Sequence, residues 1–136
     1  MDVRFSVHAT EDLERVKQAV HNLFPTTRIE DIELKKDAVK GHYGNPIILC
    51  MMRTKNEELI KTLVEKLASA LDPYDKERIS EECQRFPDKS NLYLRLDKQA
   101  ALNDELRLRR DDPIHIRLHF RKRNIVDICR ELGIVQ

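Results

Sequence analysis

Residues 91–123, "NLYLRLDKQAALNDELRLRRDDPIHIRLHFRKR", decide the fold. In three successive runs, Asn91–Asp97, Glu105–Arg109 and Ile114–Lys122, every second residue is leucine, isoleucine or phenylalanine. Side chains alternate across a strand, so residues i and i+2 share a face. The spacing therefore predicts three half-buried strands. The residues left facing outward are Tyr93, Arg95 and Asp97, then Glu105, Arg107 and Arg109, then His115, Arg117, His119 and Arg121. From Arg107 to Arg123 the chain carries seven basic residues against two acids, Asp111 and Asp112.

The rest of the chain supplies something for these strands to pack on. Val3, Phe5 and Val7 alternate with Arg4, Ser6 and His8, a strand pattern that adds Arg4 and His8 to the outward set if it joins the same sheet. Leu13, Val16, Val20, Leu23 and Phe24 form one helical stripe, with Thr10 as the expected N-cap and Pro25 as the stop. "RIEDIELKK" (28–36) reads as a second strand, "GHYGNP" (41–46) as a turn, and Pro46 to Arg53 as an apolar central strand. Thr54 and Glu57 fit a capping box for a helix with the stripe Leu59, Ile60, Leu63, Val64, Leu67 and Leu71. Asp72-Pro73 restarts a shorter helix. Asn124 is placed to cap a last one, with Ile125, Ile128, Cys129 and Leu132 on one face and Gly133 at its end. The order β-α-β-β-α-α-β-β-β-α, with short links, implies a single α+β domain over 1–136. Its sheet is mostly antiparallel, with helices packed on one face and the other face open to solvent.

A chain of 136 residues can bury a core without staples. Its three cysteines, Cys50, Cys83 and Cys129, are odd in number and widely spaced, which points to a reducing compartment, the cytoplasm. Met1 leads directly into a strand pattern, so no leader is expected, and "PIILCMM" is too short to span a bilayer. The net charge is only +1, so any polyanion must be met by the distribution of charge rather than by its total. Like charges opposite one another on neighbouring strands cost roughly 0.2–1 kcal/mol per pair. A face built only for solubility would mix signs, as "KNEELIKTLVEKL" does. Concentrated arginine implies an anionic partner, because guanidinium meets phosphate in bidentate fashion. Tyr93 is the only plausible outward ring, whereas Phe5 and Phe120 are in phase with the core. This favours recognition of the backbone and shape of a structured RNA over base stacking.

"NLYLRLDKQAALNDELRL" and "GHYGNPI", together with the opening "FSVHATED", resemble an archaeal family of small RNA-binding proteins described as predicted exosome subunits. That family is similar in fold to the large-subunit ribosomal protein that cradles 5S ribosomal RNA. The resemblance covers essentially the whole chain. It implies an α+β domain, RNA binding without catalysis, and exosome subunits as partners. The matching motif positions are Asn91, Tyr93, Arg95, Asp97, Lys98, Gln99, Glu105 and Arg107, plus Gly41, His42, Gly44 and Asn45. Where the family carries an aromatic residue and a glycine after "KQAA", this chain has Leu102-Asn103-Asp104. The turn there is expected to survive, because Asn and Asp tolerate left-handed backbone.

The expected RNA-contacting residues are Tyr93, Arg95, Lys98, Gln99, Arg107, Arg109, Arg117, His119, Arg121 and His42. Lys98 would meet phosphate and Gln99 a base edge or ribose hydroxyl. The alternative is a protein-interaction module whose arginine face docks an acidic partner or a second copy of the chain. His115 and His119 lie about 13 Å apart along a strand, too far to share one metal ion. No phosphate-cradling glycine loop, nucleophile elbow or metalloprotease helix occurs, so neither cofactor nor catalytic site is expected.

Overall fold

The computed structural model describes residues 1–24, 33–41, 44–85 and 91–119. In chain order the elements are β1 (Asp2–His8), α1 (Leu13–Asn22), β2 (Leu34–Lys40), β3 (Pro46–Arg53), α2 (Glu57–Ala70), α3 (Pro73–Arg85), β4 (Asn91–Leu96), α4 (Lys98–Leu102) and β5 (Ile114–His119). The five strands form one sheet in the order β2-β3-β1-β5-β4, antiparallel throughout. This is the expected α+β architecture. The first strand of the chain lies at the centre, so the amino-terminal alternation shares a face with the basic strands near the carboxyl end.

Alternation sets which residues are buried. Val3, Phe5 and Val7 of β1, Leu92, Leu94 and Leu96 of β4, and Ile114, Ile116 and Leu118 of β5 form one core with Val16 and Val20 of α1 and Leu59, Leu63, Val64 and Leu67 of α2. Full burial of each such side chain contributes on the order of 1.5–3 kcal/mol. Both helical stripes read from the sequence therefore face the sheet. Polar ties fix the helices to one another. The Asn22 side-chain amide donates to the carbonyls of Ala101 (2.9 Å) and Leu102 (3.2 Å). Lys66 bridges the Asn22 carbonyl to the Asp104 carboxylate.

Several boundaries differ from the sequence reading. The expected strand at Glu105–Arg109 is reduced to a single bridge, Leu96 to Leu108, on the outer edge of β4. The reason is that "KQAAL" coils into α4. The Asp97 carboxylate caps it by accepting from the amides of Gln99 and Ala100. Asp104 then turns the chain back at φ 59°, in the left-handed conformation expected of that loop. Helix α1 is capped by Asp12, not Thr10, because the amide of Glu11 first closes a turn onto the His8 carbonyl. Helix α2 is capped by Asn56, with the Thr54 hydroxyl accepting from the Asn56 amide. Asp72 caps α3 as expected, accepting from the amide of Asp75 at 2.8 Å. Residues 28–32 of "RIEDIELKK" lie outside the described residues, and strand β2 continues past Lys36, the expected end of that stretch, to Lys40. The turn after it, closed by Gly41 N–H to the Asn45 carbonyl at 2.7 Å with Gly44 at φ 79°, pairs residues as late as Lys40 with Pro46. The expected last helix, capped by Asn124, lies outside the described residues.

Candidate nucleic-acid interface

The register sorts the open face into rows that cross the strands. One row reads Tyr93 (β4), Arg117 (β5), Asp2 (β1), Arg53 (β3). The next reads Arg95 (β4), His115 (β5), Arg4 (β1), Met51 (β3), Lys35 (β2), and so spans all five strands. At about 4.8 Å between strands it is roughly 19 Å long. Across this face the described residues place five cations, Arg4, Lys35, Arg53, Arg95 and Arg117, against two carboxylates, Asp2 and Asp37.

The two rows treat their charge differently. Asp2 is only 5% exposed although it stands on the open face. Its carboxylate accepts a hydrogen bond from Arg53 Nε at 2.8 Å and forms an ion pair with Arg117 Nη2 at 2.7 Å. Burial works to raise the Asp2 pKa. The Arg53 hydrogen bond and the charges of Arg117, Arg53 and the amino terminus together outweigh it and hold the group below the ordinary carboxylate value. Arg117 is thus partly neutralised from within. In the second row, Arg4, Lys35 and Arg95 form no ion pair among the described residues. His115, between Arg95 and Arg4, has its pKa lowered by burial and then by those two charges, so the imidazole is neutral at physiological pH. The Tyr93 ring stacks on it, with centroids 6.2 Å apart and planes inclined by 19°.

Of the residues expected from sequence, Tyr93, Arg95, Arg117 and His119 come together on this face. His119 shares a hydrogen bond with the Asn91 side chain at 2.8 Å. Arg107 and Arg109 lie at the outer edge of β4, where the Arg109 amide donates to the Arg95 carbonyl and its guanidinium lies 3.6 Å from Asp97. Gln99 is on α4 and lines a small hollow with Thr10 and Arg15. His42 and Arg121 lie outside the described residues. Lys98 departs most from expectation. Its ammonium donates to Asp112 at 2.9 Å, to Glu11 at 3.2 Å and to the Ser6 carbonyl, and its side chain is 11% exposed. It therefore ties β1, the loop after it and the 112–113 turn together rather than facing a ligand. The same lysine explains the grouping of His8, Glu11 and Asp112, whose donor atoms lie within 4.8 Å of one another. The cation these acids surround is the protein's own ammonium.

Sequence reasoning did not single out Lys35, nor the apolar part of the face. Strand β3 is apolar on both sides. Cys50 and Met52 enter the core while Ile47, Leu49 and Met51 stand on the open face, with Leu49 43% exposed. A hollow of about 650 Å³ opens here, lined by Arg4, Leu49, Met51, Arg95, Arg110 and His115 among others. Two-sided apolarity in "PIILCMM" was the available signal, and a central strand explains only half of it.

A family model described as RNA binding matches residues 1–120. The RNA-binding protein PAB1135 of Pyrococcus abyssi is 31% identical over 137 residues, an alignment covering 95% of this chain and 89% of that protein. Among solved structures, Mth689, a DUF54 protein from Methanothermobacter thermautotrophicus, matches with a TM-score of 0.78 and 26% identity over 96% of this chain and 94% of that one. The DUF54 protein SSO0741 from Sulfolobus solfataricus matches with a TM-score of 0.73 and 26% identity, over 96% and 92%.

Proposed function

From the premise that the chain belongs to the RNA-binding family, we propose that it is a non-catalytic, cytoplasmic single-domain protein that holds RNA phosphates on its open sheet face. The observation that carries this reading is the Arg95–His115–Arg4–Met51–Lys35 row, whose three cations have no acid partner among the described residues. Arg95, Arg4 and Lys35 supply the primary phosphate contacts. Arg117, Arg109 and Arg107 extend the positive field, and Tyr93 and His119 add local selectivity. Gln99 is an outer contact in this reading, and His42 and Arg121 are carried into it from the sequence alone. Lys98 holds the scaffold.

The test is equilibrium binding to a folded RNA across a salt series. With about five phosphates neutralised, log affinity falls against log salt with a slope of roughly −3.5 to −4.5. A flat response refutes phosphate binding. The double variant Arg4→Glu/Arg95→Glu loses RNA at an unchanged elution volume. If it instead keeps RNA and changes its state of assembly, the face is a protein-docking surface. Magnesium-dependent cleavage of the RNA would overturn the non-catalytic assignment. Association with exosome subunits, carried into the proposal from the sequence resemblance, is tested by copurification of the intact chain from cells.

A further inference from the structure

The ladder between β1 and β5 covers only Asp2, Val3 and Arg4. It stops because Pro113, the residue before β5, has no amide hydrogen to donate. Beyond that point the Ser6 carbonyl is satisfied instead by the Lys98 ammonium. The sheet therefore opens between the second half of β1 and the 110–113 segment, and the 650 Å³ hollow lies at this opening. Its volume falls within the ~300–1,000 Å³ of sites that enclose small organic groups. Its lining is mixed: Leu49 and Met51 of β3 form an apolar strip with Lys35 and Asp37 of β2 beyond it, while Arg4, Arg95 and Arg110 bring guanidinium groups from the β1, β4 and pre-β5 side. None of these three forms an ion pair among the described residues.

We infer that this hollow receives one unpaired nucleotide of a folded RNA, its base against Leu49 and Met51 and its phosphate between Arg4 and Arg95. The inference rests on the RNA-binding reading and narrows it. A perfect duplex keeps its bases stacked inside and offers the sheet only backbone, which leaves the apolar wall exposed to water. A base splayed out of a bulge or loop covers that wall and brings its phosphate within reach of the arginines. A protein segment of acidic character would match the guanidinium groups but not the single, bounded apolar wall beside them. Two acids also line the hollow. Asp112 is already bonded to Lys98 and His8. Asp37 stands across from Leu49, at the base end, where a carboxylate accepts from an amino group rather than repelling phosphate.

Fluorescence anisotropy on the full chain tests this with three hairpins at one salt concentration: fully paired, with a single bulged nucleotide, and with an abasic bulge. The base-bearing bulge binds on the order of 5-fold tighter than the other two, the low end of what one base stacked on an aromatic ring contributes, because Leu49 and Met51 offer apolar contact without a ring. In Leu49→Ser/Met51→Ser the ratio of bulged to paired affinity falls to near one. Equal binding of all three hairpins overturns the inference while leaving phosphate binding intact. An advantage that survives in the double variant overturns the placement of the base. Failure to bind any of the three RNAs removes the RNA-binding reading itself.

Discussion

Asp2→Asn separates stability from binding. Asp2 is buried, yet both of its arginine partners are well exposed, Arg53 at 64% and Arg117 at 45% of the side chain. Hydration screens both pairs, so each contributes on the order of 0.2–1 kcal/mol. Asparagine keeps one oxygen for Arg53 and avoids the cost of burying a charge. The net loss of stability is therefore about 1 kcal/mol, which lowers Tm by roughly 3–5 °C. The pH dependence has a definite sign. The Asp2 pKa is depressed in the folded chain, so its contribution is fully present above the unfolded value of about 3.9 and is lost as pH falls through the folded value. The stability gap between wild type and variant is flat from weakly acidic to neutral pH and closes only in strong acid.

Binding moves the other way. Removing the carboxylate frees Arg117 and deletes a negative charge about 7 Å from a phosphate seated on the neighbouring row. At effective dielectric constants between about 20 and 80 this is worth roughly 0.6–2.4 kcal/mol. The variant binds RNA roughly 3- to 50-fold more tightly, and its salt slope steepens by about 0.7–0.9 if Arg117 gains a phosphate. Circular dichroism follows unfolding, and anisotropy across a salt series follows affinity. A folded Asp2→Asn protein that binds RNA more weakly than wild type refutes the premise that this acid competes with phosphate for the arginines.

Arg4→Gln and Arg95→Gln each reduce the magnitude of the salt slope by about 0.7–0.9, whereas Arg117→Gln, already partnered by Asp2, reduces it less; the same salt titration compares them. Because burial, Arg95 and Arg4 lower the His115 pKa in the free protein, a phosphate bound beside it raises that pKa. Affinity then rises as pH falls from the bound-state value toward the free-state value. In His115→Gln the increment disappears, while any contribution from His8, held by Asp112, or from His119 persists in both proteins. Lys98→Met leaves Glu11, Asp112 and the Ser6 carbonyl without their common donor and lowers stability by about 1–3 kcal/mol in chemical denaturation, with the RNA salt slope unaltered.

The strands and helical stripes were legible because period-2 and period-3.6 burial are written directly in the order of apolar residues. Val3, Phe5 and Val7 or Leu59, Leu63 and Leu67 need no tertiary information to assign a face. The fate of each basic residue was not legible, because it depends on pairs distant in sequence. Lys98 sits in a motif that reads as exposed, yet the acids that hold it are Glu11 and Asp112, brought in by the return of β5 to β1. Glu105–Arg109 has the alternation of a strand but follows a helix capped by Asp97, which leaves it room for one bridge only. The apolar wall of the hollow was hidden for the opposite reason. Leu49 and Met51 look like core residues in a continuous apolar run, and only the register places them opposite Ser6 and Arg4.

Neighbouring rows on the sheet solve the same physical problem in two ways. Arginines gathered on adjacent strands repel one another, and cross-strand like charges destabilise a sheet. Between Arg53 and Arg117 the chain inserts a carboxylate, so half of the row's positive charge is compensated at all times and the row contributes cohesion. Between Arg4 and Arg95 it inserts an imidazole whose burial keeps it neutral, which separates the guanidinium groups by two strand spacings, about 10 Å, without cancelling them. Only the second arrangement leaves all of its positive potential for a ligand, and it does so one row from a half-compensated pair that holds the strands in register. On this face the density of arginine is a poor guide to where an anion binds. The better guide is the identity of the residue between the arginines, and by that criterion the row through His115 is the one proposed to bind.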